Sequence, residues 1–210
     1  VEISALNAYL IQLGACDSAE EARVEAARYV QRGAAGYLLP QGERQLVIGA
    51  GYDTMAEAES VQKRLYEDER LLSEIQALGS PALTLRVTAA PVQVDALREA
   101  EAHLREQTAA MGQTAFAIDA GEVDAPTARA RFSVGRDKTA DVLGRLSAVA
   151  GDQPGAVASG LIDLLAQLRD KQSQLSSAEM KTTLSFSSKI KYNYIDLRVR
   201  HSAFLNSLGA

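Results

Sequence analysis

The chain has 210 residues, of which 47% are hydrophobic and 23% charged, and its formal net charge is −5. This composition supports a buried core and argues against disorder throughout, and the length allows one or two domains. The acidic balance argues against nucleic-acid binding, which needs clustered Lys and Arg. The single cysteine, Cys16, excludes an intramolecular disulfide and a zinc site built from cysteines.

One stretch of the chain occurs twice in its first half. YLIQLGACDSAEEA at residues 9–22 is followed by LVIGAGYDTMAEAE at residues 46–59, and each copy is an apolar run, a turn and the start of a helix. Ser18-x-x-Glu21 and Thr54-x-x-Glu57 fit the capping box. In this motif a hydroxyl accepts from a first-turn amide, and a carboxylate accepts from the amide of the cap residue. The duplication therefore predicts two βα units.

Further strands complete the pattern of the first half. We expect strands at residues 9–13, 36–39, 46–50 and 71–78, and helices at residues 19–32 and 55–67. The segment ALTLRVTA at residues 82–89 alternates well. It is either the fourth strand, with residues 71–78 as another helical turn or two, or an additional fifth strand of the sheet, which is the alternative we favour. The order βαββαβ predicts the split βαβ sandwich of the ferredoxin-like class.

After Pro91 the sequence changes from strands to long segments rich in Ala, Leu, Arg and Glu. Apolar stripes predict helices at residues 92–119, 127–150 and 156–208. The last is one long helix or two, because a run of Ser and Thr can bend or break it. Such amphipathic helices predict a bundle or an antiparallel coiled coil. We therefore expect an α+β protein with a βαββαβ domain at residues 1–90 and an all-α domain of three long helices at residues 91–210.

The two repeat copies resemble motifs of a known family. IQLGAC at residues 11–16 looks like the VQLGSF motif on the first strand of sporulation-related repeat (SPOR) domains. VIGAGY at residues 47–52, followed by DTMAEAE, is similar to the VRVGPF-xxx-EAE element of their second half. The resemblance covers residues 5–80. It implies a non-catalytic domain that binds peptidoglycan glycan strands stripped of their stem peptides, in cell division or sporulation.

The same resemblance implies a location for the protein. SPOR proteins of this layout often carry a transmembrane anchor before the domain, so the resemblance implies an anchor upstream of Val1. The chain itself contains no run of 18 apolar residues that would predict a membrane-spanning helix. We expect a protein of the cell envelope at the outer face of the cytoplasmic membrane, and its helical domain is expected to contact envelope proteins or a second copy.

The candidate recognition surface is the face of the sheet that both helices of the βαββαβ domain leave open. Strand alternation predicts four residues on this face: Leu10, Gln12, Leu46 and Ile48. Three apolar side chains around one amide suit a sugar ring, whose CH faces need apolar contact and whose N-acetyl groups need hydrogen bonds. The family implies the same face through the glutamine of its motif, and it adds Ala15 and Tyr52 as glycan-binding positions.

Two departures from the family motif leave another reading open. Ala15 stands where the motif has serine, and Cys16 stands where it has an aromatic residue. The domain is therefore either a glycan binder or a degenerate domain kept as a scaffold, with its apolar face covered by the extra strand or by the helical domain.

The remaining residues offer little catalytic chemistry. His103 and His201 lie in separate predicted helices, without a cysteine or carboxylate at ligand spacing, and are expected on helix surfaces. Asp17 and Asp53 lie at helix starts, where capping explains them. We predict no catalytic residue, no metal and no cofactor.

The C-terminal segment is basic. Its cationic residues are Lys181, Lys189, Lys191, Arg198 and Arg200, with His201 beside them. A solvated helix face is favoured over a surface for anionic wall polymers or a membrane.

The sequence therefore predicts a non-enzymatic envelope protein that binds glycan. The alternatives are a scaffold built on a degenerate SPOR-like domain, an intracellular ferredoxin-like module that binds a small ligand, an RNA-recognition module and a wall hydrolase. RNA recognition is disfavoured because its central strands need aromatic residues that stack on bases, and LIQL and LVIG have none. A hydrolase is disfavoured because the helical region shows no catalytic constellation.

Overall fold

A computed structural model describes residues 1–179 and 182–209 of the chain. Within them the protein is an α+β structure with six helices and two antiparallel sheets, so the predicted class is confirmed. The strands are β1 (Glu2–Ile3), β2 (Leu6–Cys16), β3 (Tyr37–Gln41), β4 (Arg44–Tyr52), β5 (Glu74–Ser80) and β6 (Leu83–Thr84). The helices are α1 (Ala19–Val30), α2 (Met55–Glu69), α3 (Pro91–Asp119), α4 (Ala125–Ala150), α5 (Ala156–Ser177) and α6 (Thr183–Leu208).

The main sheet has the strand order β3-β4-β2-β5, and each neighbouring pair is antiparallel. The strands of both repeat copies, β2 and β4, lie side by side at its centre, which confirms that they share one sheet. Their pairing register shifts twice between Ile11 and Gly14. An extra residue in a strand reverses the alternation of the side chains beyond it. Leu10 and Ala15 therefore contact one core, while Cys16 contacts another.

Both predicted helix caps are present in the first half, but only the second forms both hydrogen bonds of the capping box. In the second copy the hydroxyl of Thr54 accepts from the amide of Glu57 at 3.3 Å, and the Thr54 amide donates to the Glu57 carboxylate at 3.2 Å. In the first copy Ser18 accepts from the Glu21 amide at 3.1 Å. The return bond of the box is not formed there among the described residues. The complete box predicted for Ser18 is thus only half made.

The strand predicted at residues 82–89 does not extend the main sheet. Only Leu83–Thr84 is a strand, and it pairs with Glu2–Ile3 in a separate two-stranded sheet. The expectation of an added strand in the main sheet is wrong, because β5 ends at Ser80 and Pro81 cannot donate to a ladder. The chain then turns toward its own N-terminus, where the Val1 ammonium donates to the Leu85 carbonyl at 2.6 Å.

The helical part contains four helices in the described residues, and not the three expected. The last predicted segment, for which we expected one long helix or two, forms the two helices α5 and α6. Thr182 caps α6 by accepting from the Ser185 amide at 3.1 Å, so the Ser/Thr run supplies a new helix start. Lys181, which we counted among the basic residues, lies outside the described residues.

One hydrophobic core joins the sheet to the helices. It contains Leu10, Leu46 and Ile48 from the sheet together with Tyr194 and Ile195 from α6. A smaller core between α1 and the sheet is formed by Cys16, Ala22, Ala26 and Val47. The division into domains near residue 90 stays a prediction. Because the large core is shared, neither part buries all of its apolar surface without the other.

Candidate functional site

The sheet face that we expected to be open is covered by α6. This helix contacts β2, β3, β4 and β5. Leu46 and Ile48 alternate with Val47, which packs toward α1, so they point to the opposite face. Leu10, Leu46 and Ile48 are all buried there. The prediction that these side chains form an open face is therefore wrong in this structure, because α6 occupies the face.

Two more of the predicted glycan-binding residues, Gln12 and Ala15, are partly exposed. Gln12 is half-buried, and its side-chain oxygen accepts a hydrogen bond from the amide nitrogen of Gln76 at 2.7 Å. Ala15 is half-buried and packs against the large core. The amide of Gln12 thus has a protein partner where we predicted a sugar.

Glycines make room for the covering helix. A Cβ atom at Gly51 would lie 2.9 Å from the Tyr194 ring and 2.9 Å from a methyl group of Leu10. A Cβ atom at Gly112 of α3 would also lie 2.9 Å from the Tyr194 ring. Real Cβ atoms do not approach other atoms so closely, so the Tyr194 ring fills space that only glycine leaves on both sides. Gly160 of α5 makes the same kind of room for Phe204.

A polar tie holds α6 against the second repeat copy. The Tyr194 hydroxyl donates to the Asp53 carboxylate at 2.6 Å, and the Arg198 guanidinium pairs with the same oxygen. The Arg198 side chain is only 5% exposed, and that of Asp53 is 34% exposed. Burial raises the pKa of Tyr194, and the Asp53 carboxylate adds to the shift, so the phenol stays protonated and donates.

Further contacts of α6 use its polar side chains. Three of them donate to backbone carbonyls of the first half: Ser188 to Ala34 at 2.6 Å, Lys191 to Gly33 at 2.8 Å and Ser202 to Gly79 at 2.9 Å. Lys191 also pairs with Asp119, and His201 lies 3.5 Å from a Glu101 oxygen. The expectation of a solvated basic face is wrong for Lys191, Arg198 and His201, because each contacts a carboxylate of another part of the chain.

Tyr52, the last predicted glycan residue, lies apart from the covered face. It lines a cleft of about 920 Å³ between the second repeat copy and the helices. Burial raises the pKa of Tyr52 to about 12, and the Asp119 carboxylate adds to the shift. The helical wall of the cleft includes Gln107, Phe116, Arg131, Val134, Lys138 and Gln172. The sequence alone did not indicate this cleft, because its walls come from separate parts of the chain.

A buried polar network forms the floor of the cleft. The Gln172 amide nitrogen donates to the Gln107 side-chain oxygen at 3.1 Å, and the Thr139 hydroxyl lies 2.8 Å from the Gln172 oxygen. The same hydroxyl lies 3.0 Å from Nε2 of His103. A Cβ atom at Gly135 would lie 2.6 Å from the Gln172 nitrogen, so glycine in α4 makes space for the amide pair. The network holds Gln107 and Gln172 in place, and its His103 end is buried and does not line the cleft.

Neither histidine lies on a helix surface as predicted. His103 and His201 are both buried, and burial lowers the pKa of each. The neutral form is therefore favoured in the folded protein. The described residues contain no group of three His, Cys, Asp or Glu side chains placed to hold a metal ion.

Comparisons of this chain with protein families, curated proteins and solved structures find no match. The SPOR resemblance therefore depends on the two motifs alone. The residues whose role sequence reasoning missed are Tyr194 and Arg198, which hold α6 against the sheet through Asp53. Gly51 and Gly112, opposite an aromatic residue in the last helix, were the available signal for this contact.

Proposed function

We propose that the protein is a non-enzymatic scaffold of the cell envelope, in which a SPOR-like domain uses its recognition face to dock its own last helix. The burial of Leu10, Leu46 and Ile48 under α6 is the observation that carries this proposal. A face inside a shared core offers no surface to a glycan strand. The close packing of Tyr194 against Gly51 and Gly112 and the Arg198–Asp53 ion pair support a permanent contact between α6 and the sheet. A helix that packed only weakly on the sheet would need neither feature.

We also infer that the main sheet with α1 and α2 belongs to the ferredoxin-like class. The order of elements β2-α1-β3-β4-α2-β5 is βαββαβ. The strand order β3-β4-β2-β5 and its antiparallel pairing support the same assignment.

The envelope location and the role in division or sporulation are proposed from the motif resemblance. In this proposal α3, α4 and α5 present their outer faces to envelope proteins or to a second copy of the chain. An anchor upstream of Val1 would hold the protein at the outer face of the cytoplasmic membrane. Among the described residues, no helix is long and apolar enough to span a bilayer.

Sedimentation with peptidoglycan tests the proposal directly. The full chain should not co-sediment saturably with peptidoglycan freed of stem peptides, nor with intact wall. A SPOR domain that binds the same preparation is the positive control. Saturable binding that Gln12→Ala weakens would overturn the scaffold and restore glycan recognition by Gln12, Leu10, Leu46 and Ile48.

Hydrogen exchange tests whether α6 separates from the sheet while the rest of the chain stays folded. In a scaffold the amides of α6 and of β2 and β4 should exchange together, in the global unfolding of the chain. If the amides of α6 exchanged far ahead of those of the sheet, the helix would be a displaceable cover. That result would favour a glycan-binding domain whose face is exposed on demand.

A further inference from the structure

We propose that the cleft between the second repeat copy and helices α3 and α4 binds a small organic anion with an apolar body. This site borders the covered sheet face, because Gly51, Asp53 and Tyr194 also line it. The proposal does not depend on the scaffold function. It rests on the size of the cleft, on exposed apolar side chains that face it, and on the unequal use of its charged groups.

The cleft has the size and the lining of a ligand site. Its volume of about 920 Å³ lies in the range of roughly 300–1,000 Å³ typical of small-molecule sites. Phe116 of α3 and Val134 of α4 both line it and are 51% and 56% exposed. Met111 is also in the lining and is buried. Phe116 and Val134 are thus large apolar side chains exposed on two helices around one cleft. An apolar ligand that removed them from water would gain binding free energy.

The acidic groups of the cleft are mostly engaged by the protein. Asp53 is held by Tyr194 and Arg198, and Glu57 is used by the cap of α2. Glu122, in the connection between α3 and α4, is the remaining carboxylate in the lining.

The basic groups, by contrast, are available. Arg131 and Lys138 are exposed, lie two turns apart on α4 and both line the cleft. Neither pairs with a carboxylate in the described part of the chain, whereas Arg136 and Arg145 on the same helix do. These two cations without a carboxylate partner lie on the α4 wall of the cleft, and they favour an anionic ligand group beside that helix.

The floor adds a fixed donor between these groups. Gln107 uses its side-chain oxygen to accept from Gln172. Its amide nitrogen has no protein partner within the described residues and is left to donate to a ligand. Because Gly135 admits the amide pair and Thr139 holds Gln172 from behind, this donor is preorganised.

Fluorescent probes separate the apolar and the anionic parts of this proposal. Anilinonaphthalene sulfonate has an aromatic body with one negative charge, and phenylnaphthylamine has the same body without the charge. Titrating the full chain should give saturable fluorescence with both probes, and the anionic probe should bind more tightly. The double variant Arg131→Gln/Lys138→Gln should bind the anionic probe about tenfold or more weakly. Its affinity for the neutral probe should stay unchanged.

A matched variant controls for the overall charge. Lys63→Gln/Arg98→Gln removes the same two charges from exposed helix positions that do not line the cleft. It should bind both probes as the wild type does. Val134→Asp places a carboxylate in the cleft wall. It should weaken binding of the anionic probe more than binding of the neutral probe.

Three results would overturn the proposal. One is an absence of saturable fluorescence with the wild type. Another is unchanged binding of the anionic probe by the Arg131→Gln/Lys138→Gln variant. The last is an equal loss in the Lys63→Gln/Arg98→Gln control, which would show a general effect of net charge. Circular dichroism of each variant confirms that the fold is intact, which is expected because the substituted side chains are exposed.

Discussion

The two repeat copies begin from one sequence pattern and end in different surroundings. Leu10 and Leu46 occupy equivalent positions and enter the same core under α6. Asp17 and Asp53 are equivalent too, but the Asp17 side chain is 87% exposed and pairs with Arg44 at 3.0 Å, while Asp53 holds Arg198 of α6. The duplication therefore specifies strand, turn and cap. The role of each side chain depends on what packs against the copy later in the chain.

The same divergence appears one residue earlier. Cys16 is buried against α1, and burial raises the pKa of its thiol. Its counterpart Tyr52 lines the cleft. One position of the repeat thus became a core residue in the first copy and a cleft residue in the second.

The largest difference between the copies should appear at the aspartates. Asp53→Ala leaves Arg198 buried without a carboxylate partner and removes the acceptor of the Tyr194 hydroxyl. We expect the free energy of unfolding to fall by about 2–3 kcal/mol, below the full cost of breaking a buried pair because Asp53 is partly exposed. Asp17→Ala should cost less than about 0.5 kcal/mol, since its ion pair is exposed. Urea unfolding of both variants measures this, and equal losses would contradict the assigned roles.

A smaller difference is expected at the glycines. Gly51→Ala places a Cβ atom 2.9 Å from both Leu10 and Tyr194, so the cover must shift. We expect a loss of about 1–2 kcal/mol from overpacking. Gly14→Ala is the matched control, because its Cβ atom would meet only Glu25 at 3.9 Å. It should be neutral or stabilise by up to about 1 kcal/mol, since glycine weakens a strand. A neutral Gly51→Ala would show that α6 does not press on the sheet.

Local features of the fold were predictable because they depend on neighbours in sequence. The two βα units follow from apolar alternation, from Ser18 and Thr54 as caps, and from the repeat itself. The turn between β3 and β4 follows from Pro40 and Gly42, where Gly42 has a φ of 59°.

Long-range features were not predictable in the same way. The burial of Leu10 and Ile48 depends on α6, which follows them by more than half of the chain. An apolar strand face reads the same whether a ligand or a helix covers it. The register shifts near Gln12 also escaped, because the alternation of the sequence continues through them.

The smallest difference should be found at the caps. Thr54→Ala removes a hydroxyl that is part of a complete capping box, and Ser18→Ala removes one that makes a single bond. We expect the free energy of unfolding to fall by about 1–1.5 kcal/mol for Thr54→Ala and by about 0.5–1 kcal/mol for Ser18→Ala, within the usual range for a cap.

The acidic partners of the two caps give a sharper test. Glu57→Ala should cost about 0.5–1 kcal/mol because its carboxylate accepts from the Thr54 amide at 3.2 Å. Glu21→Ala should cost almost nothing, and an equal cost at both glutamates in urea unfolding would mean that the first copy also closes its box.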